Sequence, residues 1–134
     1  MRLVVVMLIC LVFFPSSSTA IEVFHKYWKE HYLEDSDASE TFIKSAKRTG
    51  CYVCHEKGSS KKTVRNEYGI ALERYLQASD FPEEWVKANP QKAKEKIVAA
   101  LKKVEEALSK DRESFGDKIR RGVLPAIDSK MRAR

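Results

Sequence analysis

Apolar residues recur along most of this chain at helical spacing, and no stretch shows the sustained two-residue alternation of a half-buried strand. Ile21, Phe24, Trp28 and Tyr32 fall on one face of a first helix. Residues 34–38 are a polar break. Asp37 and Glu40 then stand three apart, the spacing of a capping box, ahead of a second helix with Phe42, Ile43 and Ala46 on its inner face and Gly50 at its C-terminal stop. A third helix is expected from about 63 to 78, with Val64, Tyr68, Leu72, Tyr75 and Leu76 as its apolar stripe. Ser79-Asp80-Phe81-Pro82 interrupts it, and a short helix follows over 83–87. Asn89-Pro90 restarts the chain, with Asn as N-cap and Pro at the first helical position. Ile97, Leu101, Val104 and Leu108 line the helix that follows. A last short helix over 114–121 turns Phe115 and Ile119 inward and stops at Gly122. Val123-Leu124-Pro125 tucks against the domain, and a basic tail runs from Ile127. The expectation is an all-α fold, one small domain of about four to five helices.

The first 20 residues break this pattern. Arg2 is their only charge, and residues 3–14 form an unbroken apolar run of 12. Pro15 and three serines follow, then Thr19-Ala20. A basic start, a short apolar centre and small residues at Ser18 and Ala20 have the form of a secretory signal peptide. The run is short against the roughly 20 residues that span a bilayer. Cleavage is expected after Ala20, leaving residues 21–134 as the domain and removing Cys10, which Ile9 precedes where a lipid-attachment signal has a small residue. The chain is thus expected to be exported, periplasmic or otherwise extracytoplasmic, meeting the membrane only in transit.

Composition narrows the partners. The net charge is +6 and a third of the residues are charged, which fits a hydrated surface. A basic protein attracts nucleic acid, anionic lipid or acidic proteins, and export removes nucleic acid from that set.

Only two cysteines follow the signal segment, and they stand in Cys51-Tyr52-Val53-Cys54-His55. Two thiols add across the two vinyl groups of a porphyrin, and an adjacent imidazole binds its iron. Cys-x-x-Cys-His supplies all three from one tight turn, and is the attachment signature of c-type haem. A zinc ribbon needs a second ligand pair, for which only His25 and His31 remain. A thioredoxin-like redox pair needs a βαβ setting, and these flanks are helical. A local Cys51–Cys54 disulfide closes too short a loop to stabilise much.

The motif, following an amphipathic helix in an exported chain, resembles the small single-haem c-type cytochromes over residues 42–76. The resemblance implies that Cys51 and Cys54 hold one covalent haem c, that His55 is the proximal iron ligand, and that the protein transfers single electrons to a redox partner rather than acting as an enzyme. Asn66-Glu67-Tyr68-Gly69, Ser114-Phe115-Gly116-Asp117 and Gly122-Val123-Leu124-Pro125 are similar to segments of other small exported cytochrome-like proteins. The chain departs from that family at the second axial ligand, a methionine ahead of the last helix in the familiar members. Here the candidates are Met131, in the tail, and His25, beside the first helix's apolar stripe; His31 lies on another side. A five-coordinate iron is the third option and leads to a ligand-binding or sensor protein. A helical interaction module with a plain Cys51–Cys54 disulfide is the non-haem alternative. Tyr68 and Tyr75 are core residues or porphyrin contacts. Lys44, Lys47, Arg48, Lys57, Lys61, Lys62 and Arg65 surround the motif and suit an acidic partner.

Overall fold

The computed structural model describes residues 18–58 and 64–126. Most of the expected signal segment, together with Lys61, Lys62 and Met131, lies outside the described residues. Six α-helices and no β-strand occur among those described: α1 (Ser18–Lys29), α2 (Glu40–Thr49), α3 (Glu67–Glu73), α4 (Glu83–Ala88), α5 (Pro90–Glu105) and α6 (Phe115–Arg120). The class is all-α. α1 crosses the junction after Ala20 and runs on into a π-type turn, Glu30–Glu34, which buries both Tyr32 and Leu33. None of the described helices is long and apolar enough to cross a membrane.

Side-chain caps move several boundaries from where periodicity puts them. Ser39, rather than Asp37, caps α2: its backbone is extended and its Oγ accepts from the Phe42 amide at 3.2 Å. The third helix starts at Glu67, because residues 64–66 pair back onto the cysteine turn and Asn66 caps α3. It stops at Glu73. Tyr68, Leu72 and Leu76 are buried as expected, but Val64 and Tyr75 are 44% and 46% exposed, outside the helix that would have turned them inward. Asn89 precedes α5 without a side-chain cap; its amide donates back to the Trp85 carbonyl at 3.0 Å and closes α4 instead. α5 ends at Glu105, so Leu108 lies beyond it and is 67% exposed.

α1 and α5 form the spine. The Tyr27 hydroxyl donates to the Pro90 carbonyl at 3.2 Å, Lys94 pairs with Glu30, and the Tyr32 hydroxyl donates to Glu105 at 2.8 Å. These partners climb both helices in the same sense, so the two run side by side in one direction. Ala93 and Ala100 are small enough to let the backbones approach. Ile97, Leu101 and Val104 are at most 1% exposed, and burial of each such side chain contributes about 1.5–3 kcal/mol. Phe42, Val53, Tyr68 and Phe115 complete the core from α2, the cysteine turn, α3 and α6. Leu124 packs against it and Pro125 is buried, as the sequence predicts. Lys118 is 3% exposed and reaches Asp111 at 2.8 Å, which ties α6 to the turn after α5.

Candidate functional site

Gly50 lets the chain leave α2 abruptly. Its φ of +55° is open to glycine at little cost, and the 3-10 turn Gly50–Val53 begins there. The amides of Cys54 and His55 both return to the Cys51 carbonyl, at 3.3 and 3.2 Å, which folds the motif into one compact loop. The incoming segment closes it from the other side. Glu56 donates to the Val64 carbonyl at 2.9 Å, His55 and Arg65 form an isolated antiparallel bridge, and the Asn66 amide donates to the Cys54 carbonyl at 3.0 Å.

Asn66 is the hinge of this arrangement. Its Oδ1 accepts from the Gly69 amide at 2.9 Å, capping α3. Its Nδ2 lies 2.9 Å from the Val53 carbonyl and 3.2 Å from that of Tyr52, with His55 O more distant at 3.5 Å. Gly69 completes the fit. A Cβ there would stand 2.1 Å from the Cys54 carbonyl oxygen, so the first turn of α3 rests directly on the motif backbone.

Together these elements enclose one side of a cavity of about 440 Å³, within the usual range for a cofactor site. Cys51, Val53, Cys54 and His55 line it from the motif, and Gly69, Leu72 and Leu76 from α3 and its exit. α1 supplies Phe24, His25 and Trp28. Phe24 meets Phe81 edge-on at 5.0 Å between ring centres, which braces that wall. Polar groups at the cavity include Arg65, 3.3 Å from Glu73, and Gln77. The lining is predominantly apolar, with the thiols and imidazoles as its reactive groups.

The two thiols are free and unlike. Cys51 is exposed and Cys54 half-buried, and desolvation pushes the Cys54 thiol up to about 12. His25 titrates below the usual histidine range, first because it is desolvated and then because Lys29 is near. Its imidazole is therefore neutral at pH 7, the form that ligates metals. Four residues singled out from the sequence, Cys51, Cys54, His55 and His25, thus meet at one cavity. His31 does not. It faces the opposite side, 3.8 Å from Glu105, in a second surface pocket with Lys102 and Arg120.

Tyr68 is fully buried behind the cavity wall, and Tyr75 is exposed with Lys103 over its ring at 5.8 Å. Neither lines the cavity. The Trp28 indole N–H, from the wall, donates to the Tyr68 hydroxyl at 3.1 Å. The buried Tyr32 hydroxyl donates to the Glu105 carboxylate at 2.8 Å. Burial pushes both phenols well above their ordinary range.

Among the basic residues, Lys44 pairs with Glu40 at 2.7 Å and Arg65 with Glu73, while Lys47, Arg48 and Lys57 are exposed. Asn66 and Gly69 are site residues that the apolar periodicity misses. An Asn just ahead of a helix is a capping signal, and it identifies Asn66. Nothing in the sequence signals the close approach at Gly69.

Among the described residues, no group of three or more histidine, cysteine or carboxylate side chains is arranged to hold a metal ion on its own. A porphyrin supplies four equatorial ligands itself and asks the protein for only one or two axial ones. The donor set here, two thiols and an adjacent imidazole on an apolar cavity, has the chemistry that covalent haem needs. Comparison with protein-family models, with curated proteins and with solved structures returns no match.

Proposed function

We propose that this chain is an exported c-type cytochrome: one haem, bound covalently through Cys51 and Cys54, occupies the cavity beside them, and the protein transfers single electrons. The observation that carries the reading is the convergence of Cys51, Cys54, His55 and His25 on a single, largely apolar cavity. When bound, the haem supplies the reversible one-electron chemistry of its iron. Cys51 and Cys54 would anchor it through thioethers, and His55 and the neutral His25, both on the cavity, would hold its iron. Phe24, Trp28, Leu72 and Leu76 would exclude water from it. Lys47, Arg48 and Lys57, on the exposed side of the motif, attract an acidic redox partner.

Intact-mass and optical measurements on protein exported from a haem-attaching host test this reading. The expected mass is that of residues 21–134 plus one haem, and the spectrum is low-spin with two histidine ligands. His55→Ala alters the reduced spectrum. His25→Ala converts the iron to a high-spin form that binds carbon monoxide rapidly. A mass equal to the bare polypeptide refutes covalent attachment. Rapid carbon monoxide binding by the unaltered protein assigns it instead to ligand binding with an open distal side.

A further inference from the structure

One iron can meet both His55 and His25 only if the cysteine turn and α1 keep a fixed spacing across the cavity. Two adjacent residues of α3 make the connection. Gly69 seats α3 on the motif: a Cβ there would stand 2.1 Å from the Cys54 carbonyl oxygen, so the helix rests directly on the turn that carries His55. Tyr68 reaches the other way. Its hydroxyl accepts from the Trp28 indole N–H at 3.1 Å, a buried bond between side chains 40 positions apart. Trp28 lies one helical turn after His25 on α1 and lines the cavity with it. The turn, α3 and α1 are thereby joined in series, with His55 at one end and His25 at the other.

Tyr68 is the fixed point of this series. It is fully buried, and its ring meets Phe115 edge-on at 5.2 Å between centres, which anchors it to α6. Trp28 is buried as well, its ring 5.2 Å from that of Tyr32. Packing at Tyr68 asks only for the ring; the hydroxyl serves the bond to Trp28. An indole nitrogen can only donate, and a buried donor left without an acceptor costs more than the bond itself contributed. Without the Tyr68 hydroxyl, Trp28 regains a partner by turning its N–H toward water in the cavity or by drawing α1 away. Either movement displaces the segment that presents His25.

We propose that Tyr68 is a positioning residue for the second axial ligand: by holding Trp28, it keeps His25 within reach of the iron that His55 binds. The inference rests on the covalent-haem reading above.

Tyr68→Phe keeps the ring and removes the hydroxyl. In protein exported from a haem-attaching host, the mass is expected to show the same covalent haem as the unaltered chain, since Cys51 and Cys54 are untouched. The optical spectrum gains a high-spin fraction, and carbon monoxide binds the reduced protein faster. That rate follows the population in which His25 is off the iron, and losing one buried hydrogen bond raises it about tenfold. Trp28→Phe removes the donor and gives the same change, and the two substitutions together give no more than either alone. In a His25→Ala background, Tyr68→Phe leaves the carbon monoxide rate where His25→Ala puts it, because no ligand remains to be positioned. Urea midpoints of the unaltered chain, both single variants and the double variant, followed by circular dichroism, measure the Trp28–Tyr68 tie without reference to iron; the shifts are expected to be coupled rather than additive.

A low-spin spectrum and an unchanged carbon monoxide rate in Tyr68→Phe protein that carries its haem overturn the proposal and leave the functional reading standing. A rate increase of the same size in the His25→Ala background also overturns it, since the effect then does not pass through His25, and so do additive urea midpoints. An unaltered chain that carries no haem overturns the functional reading and this proposal with it, and the midpoints then decide only whether Tyr68 holds Trp28.

Discussion

Gly69→Ala probes the contact on which the site depends. Replacing glycine by alanine inside a helix ordinarily stabilises it by up to about 1 kcal/mol. Here the added methyl would stand 2.1 Å from the Cys54 carbonyl oxygen, whereas carbon and oxygen in contact settle near 3.3 Å. α3 and the cysteine turn must therefore part by about 1 Å, judged against that contact distance. Two bonds run across the same seam: the Asn66 amide to the Cys54 carbonyl at 3.0 Å, and Asn66 Nδ2 to the Val53 carbonyl at 2.9 Å. A shift of that size takes both beyond useful hydrogen-bond length. Overpacking costs about 1–3 kcal/mol, and the two bonds roughly 1 kcal/mol each. Set against the propensity gain, the net loss is about 2–4 kcal/mol on those same scales. Urea unfolding followed by circular dichroism measures it, with Ile70→Ala as control. Ile70 is the next residue along and 51% exposed, and a surface truncation of that kind changes stability by about 0.5 kcal/mol or less. Gly69→Ala protein as stable as the original, or more so, would show that α3 does not bear on the motif and would refute the account of the site.

Tyr32→Phe removes the hydroxyl that donates to Glu105 at 2.8 Å and leaves that carboxylate without its donor; a loss of about 1–3 kcal/mol is expected, and a double-mutant cycle with Glu105→Gln should show coupling rather than additivity. Phe42 is 1% exposed, and Phe42→Ala should cost about 3–5 kcal/mol in chemical denaturation. Lys118 and Ser109 hold the Asp111 carboxylate well below its ordinary range. Because its folded-state pKa is depressed, the stabilisation is fully present above the unfolded carboxylate value near ~4 and is lost as pH falls through the lower folded value. Thermal melts from neutral pH downward should therefore show a steep acid limb below about pH 4, flattened in Asp111→Asn. Reversing Lys57, Lys61 and Lys62 together to Glu should slow bimolecular electron transfer to an acidic partner, alter its salt dependence and leave the haem spectrum in place; a rate unchanged at low salt would assign docking to another face.

The helical class was legible in the sequence because helix periodicity is a local property. Trp28, Tyr32, Phe42, Ala46, Leu72, Ile97, Leu101, Val104 and Phe115 are all buried where their spacing puts them. The motif was legible for a similar reason: its chemistry needs three side chains within five consecutive residues. Boundaries were less legible, since a cap is a competition among neighbouring polar side chains. Ser39 prevails over Asp37, Asn66 cuts the third helix short, and Asn89 serves the helix behind it. Tertiary structure alone decided which distant residues share a cavity. His25 and His31 are six positions apart, and helical spacing puts His25 beside the apolar stripe of the first helix and His31 on another side. The packing of α1 along α5 brings His25 to the cavity with Cys54 and His55 and turns His31 toward Glu105 on the far side. The Trp28–Tyr68 and Tyr32–Glu105 hydrogen bonds and the seat of Gly69 on the Cys54 carbonyl join segments that periodicity treats separately. Their partners are chosen by how the helices stack, and stacking depends on the shapes of every buried side chain at once, which no local pattern encodes.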